Sequence, residues 1–192
     1  MATQQQRSDT TREKLLAAFR ASFLKHGYER TTVQSVLANT GLSKGALYHH
    51  FRSKAEIIEA LYAQESRAAI AQVLAQAPVE TSPLKRLKTA YLDWMKVVRD
   101  PDIARILFEI GPAAIGERTA RQIEDAASKA PIKQLLRRAM MAKEIAPPDP
   151  DLLIALLNAL VAEAALHQLD SGDTAQASLE RAFSGIFAAM QP

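Results

Sequence analysis

The residues with the clearest chemical purpose lie between Thr31 and Lys54, in the run TTVQSVLANTGLSKGALYHHFRSK. Ser43 and Lys44 stand where the spacing predicts the start of a short helix, and the backbone N–H groups there join them as donors to a phosphate. Gly45 and Ala46 keep the adjoining surface small, so another backbone can come close. Tyr48 and His49 project from the same helix and can donate to phosphate or pack on base edges and thymine methyl groups. Lys54 is expected one turn into the next helix, placed for a further phosphate. This is chemistry for meeting a DNA duplex.

Two short helices joined by a tight turn must carry these groups. Thr31-x-x-Gln34 opens the first, with Val33, Val36 and Leu37 inward, and it ends near Asn39-Thr40-Gly41. Ser43 caps the second, anchored inward by Leu47 and Phe51. That is the pattern of a helix-turn-helix, whose second helix enters the major groove. Ahead of it, Thr10-x-x-Glu13 reads as a capping box, followed by Leu15, Phe19 and Phe23 on one stripe and closed by Gly27. Behind it, Ser53-x-x-Glu56 starts a longer helix through Ile57, Ile58, Leu61, Tyr62, Val73 and Leu74.

The charge is unevenly placed. Of 24 Lys/Arg and 21 Asp/Glu in 192 residues, nine basic and only three acidic side chains fall in residues 1–54. A basic head on a slightly acidic body points to a polyanion at one end, although a solvated charged face would have the same composition.

In order, Gly27-Tyr28, Thr31-Thr32-Val33, Gly41-Leu42-Ser43-Lys44-Gly45 and Leu47-Tyr48-His49-His50-Phe51 resemble the N-terminal domain of TetR/AcrR-type transcriptional regulators over about residues 8–56. The resemblance implies a three-helix DNA-binding domain, a fourth helix leading to an all-α ligand domain, and a homodimer built by the last two long helices. It also implies that Thr32, Ser43, Lys44, Gly45, Ala46, Tyr48, His49 and Lys54 face DNA while Leu47 and Phe51 belong to the core. Many members carry an aromatic residue where His49 stands. Arg7 and Arg12 fit a basic arm and first turn reaching the minor groove or backbone.

The rest of the chain has helical periodicity and no repeat. Pro78 and Pro83 bracket a loop; Leu84, Leu87, Tyr91, Trp94 or Met95, and Val98 mark a fifth helix. Ile103, Ile106, Leu107 and Ile110 mark a short sixth, stopped at Gly111-Pro112. Residues 113–143 read as helix interrupted at Gly116 and Pro131, and Ile145 to Pro150 as a strong breaker. Residues 150–169 are apolar on nearly every side and must be covered all round, with a second subunit as the economical cover. After Asp170-Ser171-Gly172-Asp173, Leu179, Phe183, Ile186, Phe187 and Met190 line the last helix. The expectation is an all-α protein of about nine helices: residues 1–53 a helix-turn-helix domain, and residues 54–192 a ligand-binding and dimerisation domain.

Tyr91, Trp94, Met95, Leu107, Phe108, Met140 and Met141 supply large or adaptable apolar groups for a cavity, or for ordinary core packing. Glu163 and His167, at i and i+4, line a pocket, cross a dimer seam or form a local pair. Few acids sit amid these positions, which favours a mainly apolar, neutral ligand over a polycation. His49-His50 point about 100° apart and are poorly placed to share a metal. No nucleophile elbow, phosphate-cradling glycine loop or zinc-protease motif occurs, and cysteine is absent, so no enzyme, cofactor or metal is expected. No apolar run reaches about 20 uncharged residues and no apolar leader opens the chain, so a cytoplasmic protein off the membrane is expected. The functional expectation is a homodimeric repressor, paired through about residues 150–190 and released from double-stranded operator DNA by a small apolar inducer. The alternative gives the second domain a protein partner instead.

Overall fold

The computed structural model describes residues 4–76, 82–146, 149–171 and 176–191, and every regular element among them is helical. The head holds α1 (Gln4–Arg30), α2 (Val33–Ala38) and α3 (Lys44–His50). The long α4 (Lys54–Gln76) leads into α5 (Pro83–Val97), α6 (Pro101–Ala104), a π-helical segment (Arg105–Ile110) and α7 (Gly111–Ile115). α8 (Glu117–Met141), α9 (Pro150–Ser171) and α10 (Gln176–Ala189) complete the body. With Pro101–Ile115 taken as one continuous winding, the described residues form nine helical stretches, the expected all-α architecture.

Two buried clusters organise these helices. The first gathers Leu15, Phe19 and Phe23 of α1, Val36 and Leu37 of α2, Leu47 and Phe51 around α3, and Ile57, Leu61 and Tyr62 of α4. It continues without interruption into Ile106, Leu107 and Ile110 of the π-helical segment. The three-helix head therefore shares a core with the body rather than hanging from a linker. The second cluster joins Leu87, Tyr91 and Met95 of α5 to Leu136 of α8, Ile154, Leu157 and Val161 of α9, and Phe183 and Phe187 of α10.

Several boundaries differ from the sequence reading. α1 already runs at Gln4, so Thr10 lies inside the helix, where its hydroxyl donates to the Gln6 carbonyl at 2.8 Å instead of capping. Arg7 is accordingly a helical residue and not part of a free arm. Gly27 does break α1, with φ 77° and ψ 168°. The cap of α2 is Thr32 and not Thr31: its hydroxyl accepts from the Ser35 N–H at 3.1 Å. Thr31 is buried, donating to the Gly27 carbonyl at 2.8 Å.

Gly111-Pro112 does not stop the sixth helix. The wider π turn runs straight into α7, where Pro112 occupies the first turn and its missing N–H costs nothing. Gly116, with φ 84°, is the true break, and Pro131 sits within α8 without ending it. The breakers at Pro78, Pro147-Pro148 and Gly172-Asp173 lie outside the described residues.

α9 buries Ile154, Leu157, Val161, Ala164 and Ala165 but leaves Leu152 (58% exposed), Leu156 (54%), Leu160 and Leu166 uncovered. By length and composition alone, residues Pro150–Asp170 could cross a membrane. The helix nevertheless carries Asp151 and Glu163 and sets one face into the second buried cluster.

Candidate nucleic-acid interface and cavity

The turn between α2 and α3 is made by Gly41, at φ 67°, and by Thr40, whose hydroxyl accepts from the Leu42 N–H at 3.3 Å. Ser43 then caps α3, its hydroxyl accepting from the Ala46 N–H at 3.1 Å. Leu47 is fully buried and Phe51 nearly so, which turns the opposite side of α3 outward. Ser43, Lys44, Gly45, Tyr48 and His49 are exposed there, Tyr48 at 54%, and Ala46 is half-buried. Thr32 is exposed at the start of α2, although its hydroxyl is engaged in the capping box with Ser35.

Lys54 differs from expectation. It is the first residue of α4, and its ammonium donates to the carbonyls of Tyr28 (2.8 Å), Thr31 (3.1 Å) and Glu29 (3.4 Å), 4.1 Å from the Tyr28 ring centroid. These carbonyls lie around the break at the end of α1, so the lysine clamps α1 to α4. His50 is half-buried. Burial, then repulsion from His49 and Arg12, holds its imidazole below the usual histidine range, with Asp9 opposing. Arg12 lies 5.3 Å from the Phe51 ring centroid, beside α3. Among the described residues no three His, Asp or Glu side chains converge as a metal site.

Two arginines tie head to body. Arg20 of α1 binds Glu65 of α4 at 2.7 Å and Asp102 of α6 at 3.4 Å. Arg105, in the π-helical segment, donates to the Leu24 carbonyl of α1 at 2.9 Å. Pairwise sequence signals do not reach across such separations.

Beyond this junction lies a cavity of about 390 Å³ between α4, α5, the π-helical segment, α8 and α9. Of the residues expected there, Tyr91, Trp94, Leu107, Phe108 and Glu163 line it. Met95, Met140, Met141 and His167 do not: Met95 is buried in the second cluster, Met140 packs against it, and Met141 and His167 are exposed. The wall is also more acidic than expected, because α8 contributes Glu117, Glu124 and Asp125, and α9 adds Asp151 and Glu163. Tyr62, fully buried, donates to the Glu124 carboxylate at 2.5 Å across 62 positions of sequence. Tyr91 donates to the Asn158 side-chain carbonyl at 3.0 Å.

A helix-turn-helix head with its second helix exposed, rooted in an all-helical body, is the architecture of a DNA-binding transcriptional regulator. Residues 15–61 match the family described as "Bacterial regulatory proteins, tetR family", and residues 84–190 match "Tetracyclin repressor-like, C-terminal domain". The chain belongs to the tetR family, and is a regulator rather than an enzyme. It is 36% identical over 88 residues to the HTH-type transcriptional repressor AcnR of Corynebacterium glutamicum, a match spanning 45% of this chain and 46% of that one. The Transposon Tn10 TetC protein of Escherichia coli is 24% identical over 166 residues, 85% of this chain and 83% of its own. A solved TetR-family transcriptional regulator of Pectobacterium atrosepticum shares the fold, with a TM-score of 0.78 at 22% identity over 99% of this chain and 98% of its own.

Proposed function

We propose that the chain is a cytoplasmic, homodimeric repressor that binds operator DNA through α3 and is released by a small, largely apolar ligand in the cavity. The observation that carries the DNA reading is the split of α3: Leu47 buried, Lys44, Tyr48 and His49 outward on the basic head. Ser43, Gly45, Ala46 and Thr32 flank that face and complete the contact set. Lys54 belongs to the set only as the clamp that holds α4 against α1.

The exposed stripe Leu152, Leu156, Leu160 and Leu166 supports pairing of two copies through α9, with α10 behind it. A dimer must place its two recognition helices about 34–36 Å apart to enter successive major grooves. A ligand that favours another spacing shifts the population away from the DNA-competent one. Arg105 on Leu24 and Arg20 on Glu65 and Asp102 supply the mechanical link from cavity to head. The aromatic-lined cavity supports a small molecule over a protein partner for the body.

The test is selection of bound fragments from genomic DNA, followed by titration of the purified protein onto the enriched site. Tight, salt-sensitive binding to a palindromic site by a dimer is the expected result. Binding that stays at the affinity of random duplex would overturn the reading.

A further inference from the structure

The cavity wall mixes two chemistries. The rings of Tyr91, Trp94 and Phe108 line it with aliphatic neighbours. Five carboxylates line it as well, with two basic side chains, Arg121 and Lys129. Two of the carboxylates are neutralised inside the protein. Lys129 lies 3.8 Å from Asp125 and 3.3 Å from Asp151, and Lys133 lies 2.6 Å from Asp151. Glu117, Glu124 and Glu163 make no ion pair within 4 Å among the described residues, which leaves the cavity with excess negative charge.

Glu124 is the best placed of the three. It is largely buried, and burial pushes its carboxyl above the usual carboxylate range despite the Tyr62 hydrogen bond. Tyr62 is itself fully buried and locked against Gly111, so the carboxylate is held by a rigid partner rather than by a mobile surface group. A neutral apolar ligand would bury this acid further without pairing it, at a net cost. An anionic ligand would add repulsion. A cation would pair the carboxylate and rest against aromatic faces that attract positive charge.

We propose that the ligand of this cavity is an amphiphile with an apolar body and one protonated amine, the amine seated on Glu124 and the body against Trp94 and Phe108. This rests on reading the cavity as the ligand site, and it replaces the neutral ligand expected from sequence by a monocation.

The test uses three probes with one apolar body: 4-phenylbutylamine, 4-phenylbutanol and 4-phenylbutanoate, titrated calorimetrically onto the full-length protein at neutral pH. The amine should bind roughly tenfold to a hundredfold more tightly than the alcohol, the scale of one charge-assisted contact, and the carboxylate most weakly. Glu124→Gln should erase the amine's advantage, so that amine and alcohol bind with equal affinity. The wild-type series stands alone if the variant misfolds. Equal affinity for the three probes, a preference for the carboxylate, or no binding at millimolar concentration would overturn the proposal. So would a Glu124→Gln protein that keeps the amine preference. None of these results touches operator binding, which is measured separately on the same protein.

Discussion

Gly111 and Tyr62 share a contact that no other residue at position 111 can make. A β-carbon there would overlap the Tyr62 ring and lie 2.6 Å from the Ile106 carbonyl oxygen. The missing side chain lets α4 and the start of α7 close on one another, and so fixes the hydroxyl that holds Glu124.

Gly111→Ala should therefore destabilise the protein by about 1–3 kcal/mol, the usual cost of overpacking, although Gly111 has helical φ/ψ and alanine is the better helix former. Urea denaturation at fixed protein concentration measures it. An unchanged or higher midpoint would mean that the contact relaxes freely.

Glu124→Gln should raise stability at neutral pH. The carboxyl is pushed up in the folded protein by burial first, with Asp125 and Glu117 adding to the shift and the Tyr62 hydrogen bond and Arg121 opposing it. A carboxyl with a raised folded pKa costs nothing while protonated, and the cost grows as pH rises from the unfolded value through the folded one. The variant should thus melt above wild type at pH 8 and level with it near pH 4. A residue kept at the expense of stability is the signature of a binding role. A variant less stable than wild type at pH 8 would reverse the sign.

Lys44 and Lys54 should separate cleanly. Lys44→Ala should leave the melting curve in place, weaken binding to every DNA sequence and reduce the salt-dependence slope by about one unit. Lys54→Ala removes an ammonium bonded to three carbonyls and should cost about 1.5–3 kcal/mol of stability. Thermal melts combined with salt titrations of DNA affinity distinguish them. An unshifted melt for Lys54→Ala would show that the clamp is idle.

Leu156→Glu and Phe183→Glu should fail in different ways. Leu156 is 54% exposed and Phe183 only 3%, so the first should yield folded monomers and the second lose its helical signal. Circular dichroism with light scattering decides the matter. A dimer of normal affinity from Leu156→Glu would place the interface elsewhere.

The helix-turn-helix was readable from the chain alone because its information is local. Leu47 and Phe51 lie one helical turn apart, so burying them forces Lys44, Tyr48 and His49 outward, and Ser43 caps a helix three residues away. Even here the reach was limited: the α2 cap fell one residue later, because Thr31 is taken by the Gly27 carbonyl. Wherever distant segments meet, folding alone decided. The inward turn of Lys54 depends on the end of α1, the acidity of the cavity on α8 and α9 facing α4, and the passage through Gly111-Pro112 on the ring of Tyr62. Periodicity reports which face a helix hides; it holds no record of the neighbour that hides it, and charge, cavity and hydrogen bond all belong to that neighbour.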